Sequence, residues 1–485
     1  MAQSGGGMVE FERLKAGWRS VACAPRRTLS ILIILAALVL CLAVNLPGHM
    51  SYDSVLQLAQ GRSGLYNEWH PPVMAWLLGL GDRMVRGTGL FVVLDSLLLY
   101  GALLALALLS PKPSWAAPAL ALAFAATPHW LIYPGIVWKD VLFAASALAG
   151  FAALAWADAR WAHPRTRLGL IAVAFALLSL AALTRQNGAV VLPAAALALG
   201  WMAARNGAGS RIAAAMAYGL VPLVGAFAVI AAAGAELRAR SDGEPSQAYQ
   251  LENLAAYDLA GALKLDPRLR LEVLEARAPL VARLIRTEAV AAYTPVRIDS
   301  ITVMPDLDLA LSAAPAGVIM QQWRELILRH PVLYLQTRAV AFQWVLLTPN
   351  IDSCVAFFVG VEGPEPWMSR LHMTNHVRAQ DKALEAYGDF LTPTPVFWHG
   401  LYAIIAFAVM VALLLRRATG DLAVAAMLGA AGLYTASFFV ISVACDYRYL
   451  YFLDVAAMAG TLYLAASASW DGLVQTARRW RPRAR

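Results

Sequence analysis

Asp53 stands alone as an acid just past the first hydrophobic segment, and Trp69-His70-Pro71-Pro72 follows within a short helix's length. A carboxylate at a membrane surface can serve as a general base, taking a proton from an attacking hydroxyl as an anionic group departs. The plainer alternative is that Asp53 only occupies a first helical turn, where the helix dipole favours an acid. Between His49 and Gly61, Tyr52, Val55 and Ala59 fall on one helical face while Asp53, Gln57 and Gln60 share another. This spacing predicts a surface helix that settles its apolar face on a bundle and turns Asp53 towards a cavity.

Trp69-His70-Pro71-Pro72 reads as the start of a second surface helix, with proline suited to a first turn and tryptophan to an interfacial belt. His70 is its informative member, since an imidazole can orient an acid or contact a phosphate. Glu68 is a further acid, read as solvated. Trp138-Lys139-Asp140 supplies a cation and an acid at the start of another hydrophobic run. Asp140 is either an N-cap or a partner for Asp53, and Lys139 can neutralise charge on a leaving phosphate. Thr184-Arg185-Gln186-Asn187-Gly188 is a good helix stop, yet guanidinium also binds phosphate in a two-pronged way that lysine cannot copy. In Asp446-Tyr447-Arg448-Tyr449 the tyrosines suit an interface, whereas Arg448 is the single cation between Leu422 and Ser469 and fits a second phosphate contact. Asp95 falls inside an apolar run, where an acid is a functional candidate by default. His70, Asp53 and Asp140 could make at most a weak divalent site; no metal or other cofactor is expected.

The elements that must position these residues are membrane helices. The chain has 485 residues, 60% hydrophobic and 14% charged, with a mean hydropathy of +0.59, far too apolar for a water-soluble domain. Its net charge of +8 does not signal nucleic acid, because the basic residues flank hydrophobic segments instead of forming one patch. Cys23, Cys41, Cys354 and Cys445 are too scattered for a disulfide framework or a zinc site, and a pairing of Cys354 with Cys445 stays open. Leu29 to Leu46, after Arg26 and Arg27, reads as an uncleaved anchor, since Asn45-Leu46-Pro47 lacks a small-x-small cleavage pattern.

About ten spans are predicted, near residues 29–46, 88–109, 115–132, 140–157, 168–184, 189–204, 212–233, 396–415, 421–441 and 449–468. With the amino terminus inside, Arg26 and Arg27, Lys112, Arg160 with Arg165 and Arg167, Arg205 with Arg211, Arg416 with Arg417, and Arg478 to Arg485 all fall on the cytoplasmic side. Pro71 to Arg86 is too short and too charged to span, and counting it would invert everything downstream. His330 to Thr348 carries Arg338 near its middle and is read as resting on the surface or packed against the bundle. Residues 234–395 then form one large outer region, with helical spacing over Leu251 to Leu263, Leu269 to Ala289 and Leu309 to Leu328.

An anchor helix, an outer loop with an acid, a His-Pro-Pro surface helix and a second acid at the next outer loop resemble the GT-C glycosyltransferases, among them protein O-mannosyltransferases and the bacterial aminoarabinose transferases of lipid A. The resemblance covers mainly residues 29–204. It implies an all-α polytopic fold: an N-terminal module over 1–233 with a catalytic first outer loop at 47–87, a helical periplasmic region over 234–395, and C-terminal spans with a basic cytoplasmic tail over 396–485. It implies inverting transfer of a sugar from a polyprenyl-phosphate donor to a glycan, lipid or protein acceptor at the periplasmic face of a bacterial inner membrane. Asp53 would be the base, with Asp140 beside it and Arg185, Lys139, Arg448 and His70 at the donor phosphate. Many members carry two adjacent acids in the first loop; here Tyr52-Asp53-Ser54 offers one, so Asp53 depends on Asp140 lying close. The competing readings are a lipid or polysaccharide transporter, a glycan ligase or polymerase, and a non-catalytic member of the fold.

Overall fold

The structure is a computed structural model that describes residues 25–466 except 68, 110–113, 207–209 and 242–246. Glu68, Lys112 and Arg478 to Arg485 lie outside the described residues. Nine described helices are long and apolar enough to cross a membrane. The fold is all-α and polytopic.

The first span, α1 (Pro25–Asn45), buries Ser30, Ile34, Ala37, Cys41 and Asn45, a stripe at helical spacing, and leaves Leu32, Val39 and Leu40 exposed. Two short helices follow, α2 (Tyr52–Ser63) and α3 (Val73–Met84), then the second span α4 (Gly89–Leu108). Both short helices stay at one end of the bundle, as the charges of Pro71 to Arg86 require. They cross where the backbone of Gly61 lies against that of Gly79, so closely that a Cβ on either would strike the other's main chain. Arg62 clamps the pair through a two-pronged contact with Asp82 (2.9 and 2.8 Å). The prolines precede α3 rather than opening it: Pro72 is the N-cap and Val73 the first helical residue.

Residues 115–132 do not form the single straight span expected from their hydropathy. The segment breaks after α5 (Ala116–Ala125) and bends by 72° into Pro128–Gly135. The cause is Thr127, which precedes proline and is held in an extended conformation, so the helix cannot continue through it. The next span, α6 (Lys139–Ala159), is buried nearly all round; Gly150 leaves room for Leu178 of α7 (Pro164–Thr184). Then come α8 (Val191–Asn206) and α9 (Arg211–Arg238), the latter exposing Ile212, Leu220, Val224 and Phe227 along its length.

The region between spans is helical, with α10 (Gln247–Leu265), α11 (Val318–Arg329), α12 (Pro331–Leu347) and α13 (Ala379–Leu391) among its elements. Arg338 of α12 is wholly buried against the bundle. It pairs with Asp258 at 2.7 Å and donates to the carbonyls of Phe439 and Ser442. Its charge is therefore matched, which is why an otherwise apolar helix can carry it. Tyr257 and Tyr293 are buried within this region, Trp323 packs half-buried against the same core, and Trp367 is half-buried beside α2 and α3.

The chain closes with α14 (His399–Arg416), α15 (Asp421–Ile441) and α16 (Tyr451–Ala466). At the end opposite α2 and α3, Arg205 holds Asp158 (2.7 Å), Asp158 accepts from the Gly420 amide (2.8 Å), and Arg416 grips Asp421. Arg26, Arg27, Arg160, Arg165, Arg167, Arg205, Arg211, Arg416 and Arg417 all belong to this end, which is the basic one.

Candidate active site

Three extended stretches assemble the opposite end. His49 pairs in parallel with Ile136, its amide donating to the Gly135 carbonyl and its carbonyl accepting from the Val137 amide. On the other side the Met50 amide donates to Gly360, and the Glu362 amide donates back to Met50. Asn45 at the end of α1 secures this join, donating to the Leu131 carbonyl and meeting His49 Nε2 at 2.9 Å. Gly135 sits against the Asn45 side chain with no space for a Cβ. The ladder places the start of α2 beside the start of α6, and Ser54 Oγ donates to the Val137 carbonyl to fix the rotation of α2. Asp53 and the Lys139-Asp140 pair thus face one another across a rigid seam.

Asp53, about a quarter exposed, has Arg448 Nη2 at 2.8 Å from Oδ2 and His70 Nε2 at 3.4 Å from Oδ1. Burial alone would raise its pKa. The Arg448 charge, followed by His70 and Lys139, more than offsets that and holds the carboxyl well below its ordinary range. His70 is buried, and its Nδ1 lies 2.6 Å from Lys139 Nζ. Burial first and the Lys139 charge second lower its pKa, so the neutral ring is favoured. With an ammonium donating to Nδ1 the ring proton belongs on Nε2, which points at Asp53 Oδ1 from 3.4 Å, beyond a well-formed hydrogen bond.

Asp140 is not an N-cap. Trp138 caps α6, and Asp140 is the second helical residue, buried, with Oδ1 bonded to Arg185 Nη1 at 2.5 Å. Arg185 leaves α7 in an extended conformation and lies over Tyr449 (5.1 Å) and Phe438 (5.5 Å). Asp140 Oδ2 has no hydrogen-bond partner and is 3.9 Å from Arg448 Nε. Arg448 stacks on Trp138 at 4.8 Å and also meets Asp446 at 3.0 Å. One guanidinium therefore stands among three carboxylates, Asp53, Asp140 and Asp446. Among the described residues no group of three or more His, Cys, Asp or Glu side chains is arranged to hold a metal ion.

Of the residues singled out in the sequence, Asp53, His70, Lys139, Asp140, Arg185 and Arg448 are linked in this one cluster. Gln57, one turn beyond Asp53, is buried with an unpartnered Nε2. Asp95 is elsewhere: it is wholly buried in α4, neither oxygen has a hydrogen-bond partner, and it makes none of the cluster's contacts. Tyr52, expected on the packed face of α2, is instead 59% exposed at the first residue of the helix, while Gln57 and Gln60, expected on the open face, are buried along with Val55, Leu58 and Ala59. Cys354 and Cys445 form a disulfide directly before Asp446.

A second polar group escaped the sequence reading. Asp454, His129 and His399 lie wholly buried together with Tyr447. The available signal was that all three ionisable residues fall inside expected spans.

The described residues thus define a polytopic helical membrane protein with a paired charge cluster at the end away from its basic loops. No protein-family model and no curated protein matches the sequence. Among solved structures, the chain is similar to the archaeal oligosaccharyltransferase AglB from Archaeoglobus fulgidus, solved with an inhibitory peptide and a dolichol-phosphate. The identity is 12% and the TM-score 0.40, over 94% of this chain and 52% of that one, so this chain spans about half its length.

Proposed function

We propose that the protein is a GT-C-type glycosyltransferase that moves a sugar from a polyprenyl-phosphate donor to a hydroxyl-bearing glycan, lipid or protein acceptor. The observation that carries this reading is the meeting of Asp53, His70, Lys139, Asp140, Arg185 and Arg448 at one end of the bundle. Displacement at the anomeric carbon needs a base for the acceptor proton and cations for the departing phosphate. Arg448 serves both: the donor phosphate competes with Asp53 for its guanidinium, and Asp53, relieved of that charge, becomes the stronger base.

In the step itself the acceptor oxygen bonds to the anomeric carbon as the bond from that carbon to the phosphate oxygen breaks, with inversion. The hydroxyl proton passes to Asp53. The negative charge gained by the polyprenyl phosphate falls to Arg448, Lys139 and Arg185, while His70 orients Asp53 through its Nε2 proton. Asp140 keeps Arg185 in place and offers Oδ2 to the acceptor.

The cluster is assigned to the periplasmic side of a bacterial inner membrane. The arginine-rich opposite end supports this, as cytoplasmic turns favour Lys and Arg. So does the Cys354–Cys445 disulfide beside the site, a bond of oxidising compartments. Buried Asp95 favours a second reading, a lipid or polysaccharide transporter whose path crosses mid-membrane. Incubating the purified protein with radiolabelled polyprenyl-phosphate hexoses and pentoses decides between them: label released or transferred, and lost in Asp53→Asn, supports transfer. Label bound but never released from its lipid would sink it.

A further inference from the structure

Asp454 is buried in the first turn of α16, and its two oxygens collect three groups from distant parts of the chain. Oδ1 is 2.9 Å from His399 Nδ1 at the start of α14. Oδ2 accepts from the Tyr447 hydroxyl at 2.9 Å and lies 3.2 Å from His129 Nε2, on the bent segment after α5. The other ring nitrogens, His129 Nδ1 and His399 Nε2, have no partner. The polar contacts of both rings are therefore directed inward, to Asp454 and Tyr447.

Two routes lead from this group to Arg448. Tyr447 is its neighbour in the chain, stacked on the His399 ring at 3.8 Å, so anchoring Tyr447 fixes where the short 447–450 turn begins. The second route is through rings. His129 packs parallel to Tyr133, Tyr133 meets Trp138 edge-on at 5.9 Å, and Trp138 is the surface on which Arg448 stacks. Trp138 Nε1 also donates to Ser51 Oγ at the cap of α2, the helix that carries Asp53.

We propose that Asp454, with His129, His399 and Tyr447, is a positioning residue that sets Arg448 at the distance at which Asp53 and a donor phosphate can compete for it. A carboxylate suits this role better than an apolar plug. Each of its contacts is directional, and a buried ion holds its donors more firmly than a neutral acceptor does. A purely structural triad would hold the helices together with no particular effect on Arg448.

The consequence for turnover rests on the transfer reading, so the test has two arms on the full-length protein in nanodiscs. In the first, hydrogen exchange is measured at residues 446–450 in Tyr447→Phe and Asp454→Asn. Exchange there should quicken, notably at the Tyr447 amide bonded to Cys354, while the interior of α6 keeps its protection. In the second arm, with a polyprenyl-phosphate hexose as donor, either substitution should raise the donor KM about tenfold and change kcat less. Neither should add to the loss that Arg448→Lys causes by itself when the three are assayed side by side. Unchanged exchange at 446–450, or losses additive with Arg448→Lys, overturns the proposal. Quickened exchange in a protein that transfers nothing from any donor supports the anchoring and overturns only the transfer reading. Tyr447→Phe removes a single hydroxyl and keeps the test valid should Asp454→Asn fail to fold.

Discussion

Arg448 and Asp53 are 395 residues apart in sequence, and their side chains meet at 2.8 Å between Nη2 and Oδ2. A base held this way is silent until something draws its cation off. On the proposed mechanism, Asp53→Asn removes the competitor for Arg448, so the donor KM falls or holds while kcat drops by about a hundredfold or more. Arg448→Ala acts in two ways: donor KM rises, and Asp53, freed of its nearest charge, has a higher pKa. A base works only when deprotonated, so the acid limb of kcat/KM should move to higher pH. A kcat/KM profile on both proteins checks this, and an unmoved limb would remove Asp53 from the role of base.

Arg185 and Asp140 form a buried pair whose members differ in what they leave behind. Arg185→Ala leaves the buried Asp140 carboxylate with only the longer 3.9 Å contact to Arg448, which should cost up to about 3 kcal/mol and lower the thermal midpoint in detergent. Arg185→Lys keeps the charge but loses the planar stack on Tyr449 and Phe438. Its stability should fall less, while donor KM should rise about tenfold because a point charge cannot grip phosphate in two places. Equal melting of the two variants would contradict this.

The α2–α3 contact depends on glycine. Gly61→Ala must push the two helices apart, at a cost of about 1–3 kcal/mol and with loss of the Arg62–Asp82 clamp. Gly101→Ala in α4 meets nothing within 4 Å and should be neutral or slightly stabilising. Thermal unfolding of the two side by side checks the contrast.

The Cys354–Cys445 disulfide closes a 91-residue separation directly before Asp446 and Arg448. Cys445→Ser, or a reductant, should lower stability by about 2–4 kcal/mol. Because the bond holds the turn that presents Arg448, donor KM should rise even at temperatures where the protein stays folded. If KM is unchanged while the midpoint drops, the bond serves stability alone.

Most spans were legible because lipid imposes a length and a composition on each of them, and the basic turns then fixed their alternation. The bend at Thr127 was not, since hydropathy averages over the residue that breaks the helix. Asp53, His70, Lys139, Asp140, Arg185 and Arg448 could be named from their places at span ends, but not their pairing. Nothing in a linear pattern says that Arg448 turns to Asp53 rather than outward, because that is settled by the ladder of His49, Val137 and Gly360. Asp140 shows the limit clearly: its position beside a helix start suggested a cap, and its bond to Arg185 comes from the packing of α6 on α7. Asp454 went unread because a hydrophobic run hides one acid well, and its partners are 55 and 325 residues away.

His49 ties that ladder to stability at mildly acidic pH. Its Nδ1 accepts from the Gly360 amide at 3.1 Å and its Nε2 faces Asn45 Oδ1, an arrangement that needs the neutral ring. Burial, only partly countered by Asp381, pushes its pKa down from 6.5 to about 4. Between those values the unfolded chain holds a proton that the folded chain refuses. Stability from this group is therefore complete above about pH 6.5 and is lost as pH falls towards 4, by up to about 3 kcal/mol. Asp53 adds nothing in that window, because its lowered pKa moves its own contribution to more acidic conditions. Unfolding midpoints from pH 7.5 to 4 should fall steeply in the parent and more gently in His49→Gln, which begins less stable but has no proton to take up. Parallel curves for the two would show that the acid sensitivity lies in another group.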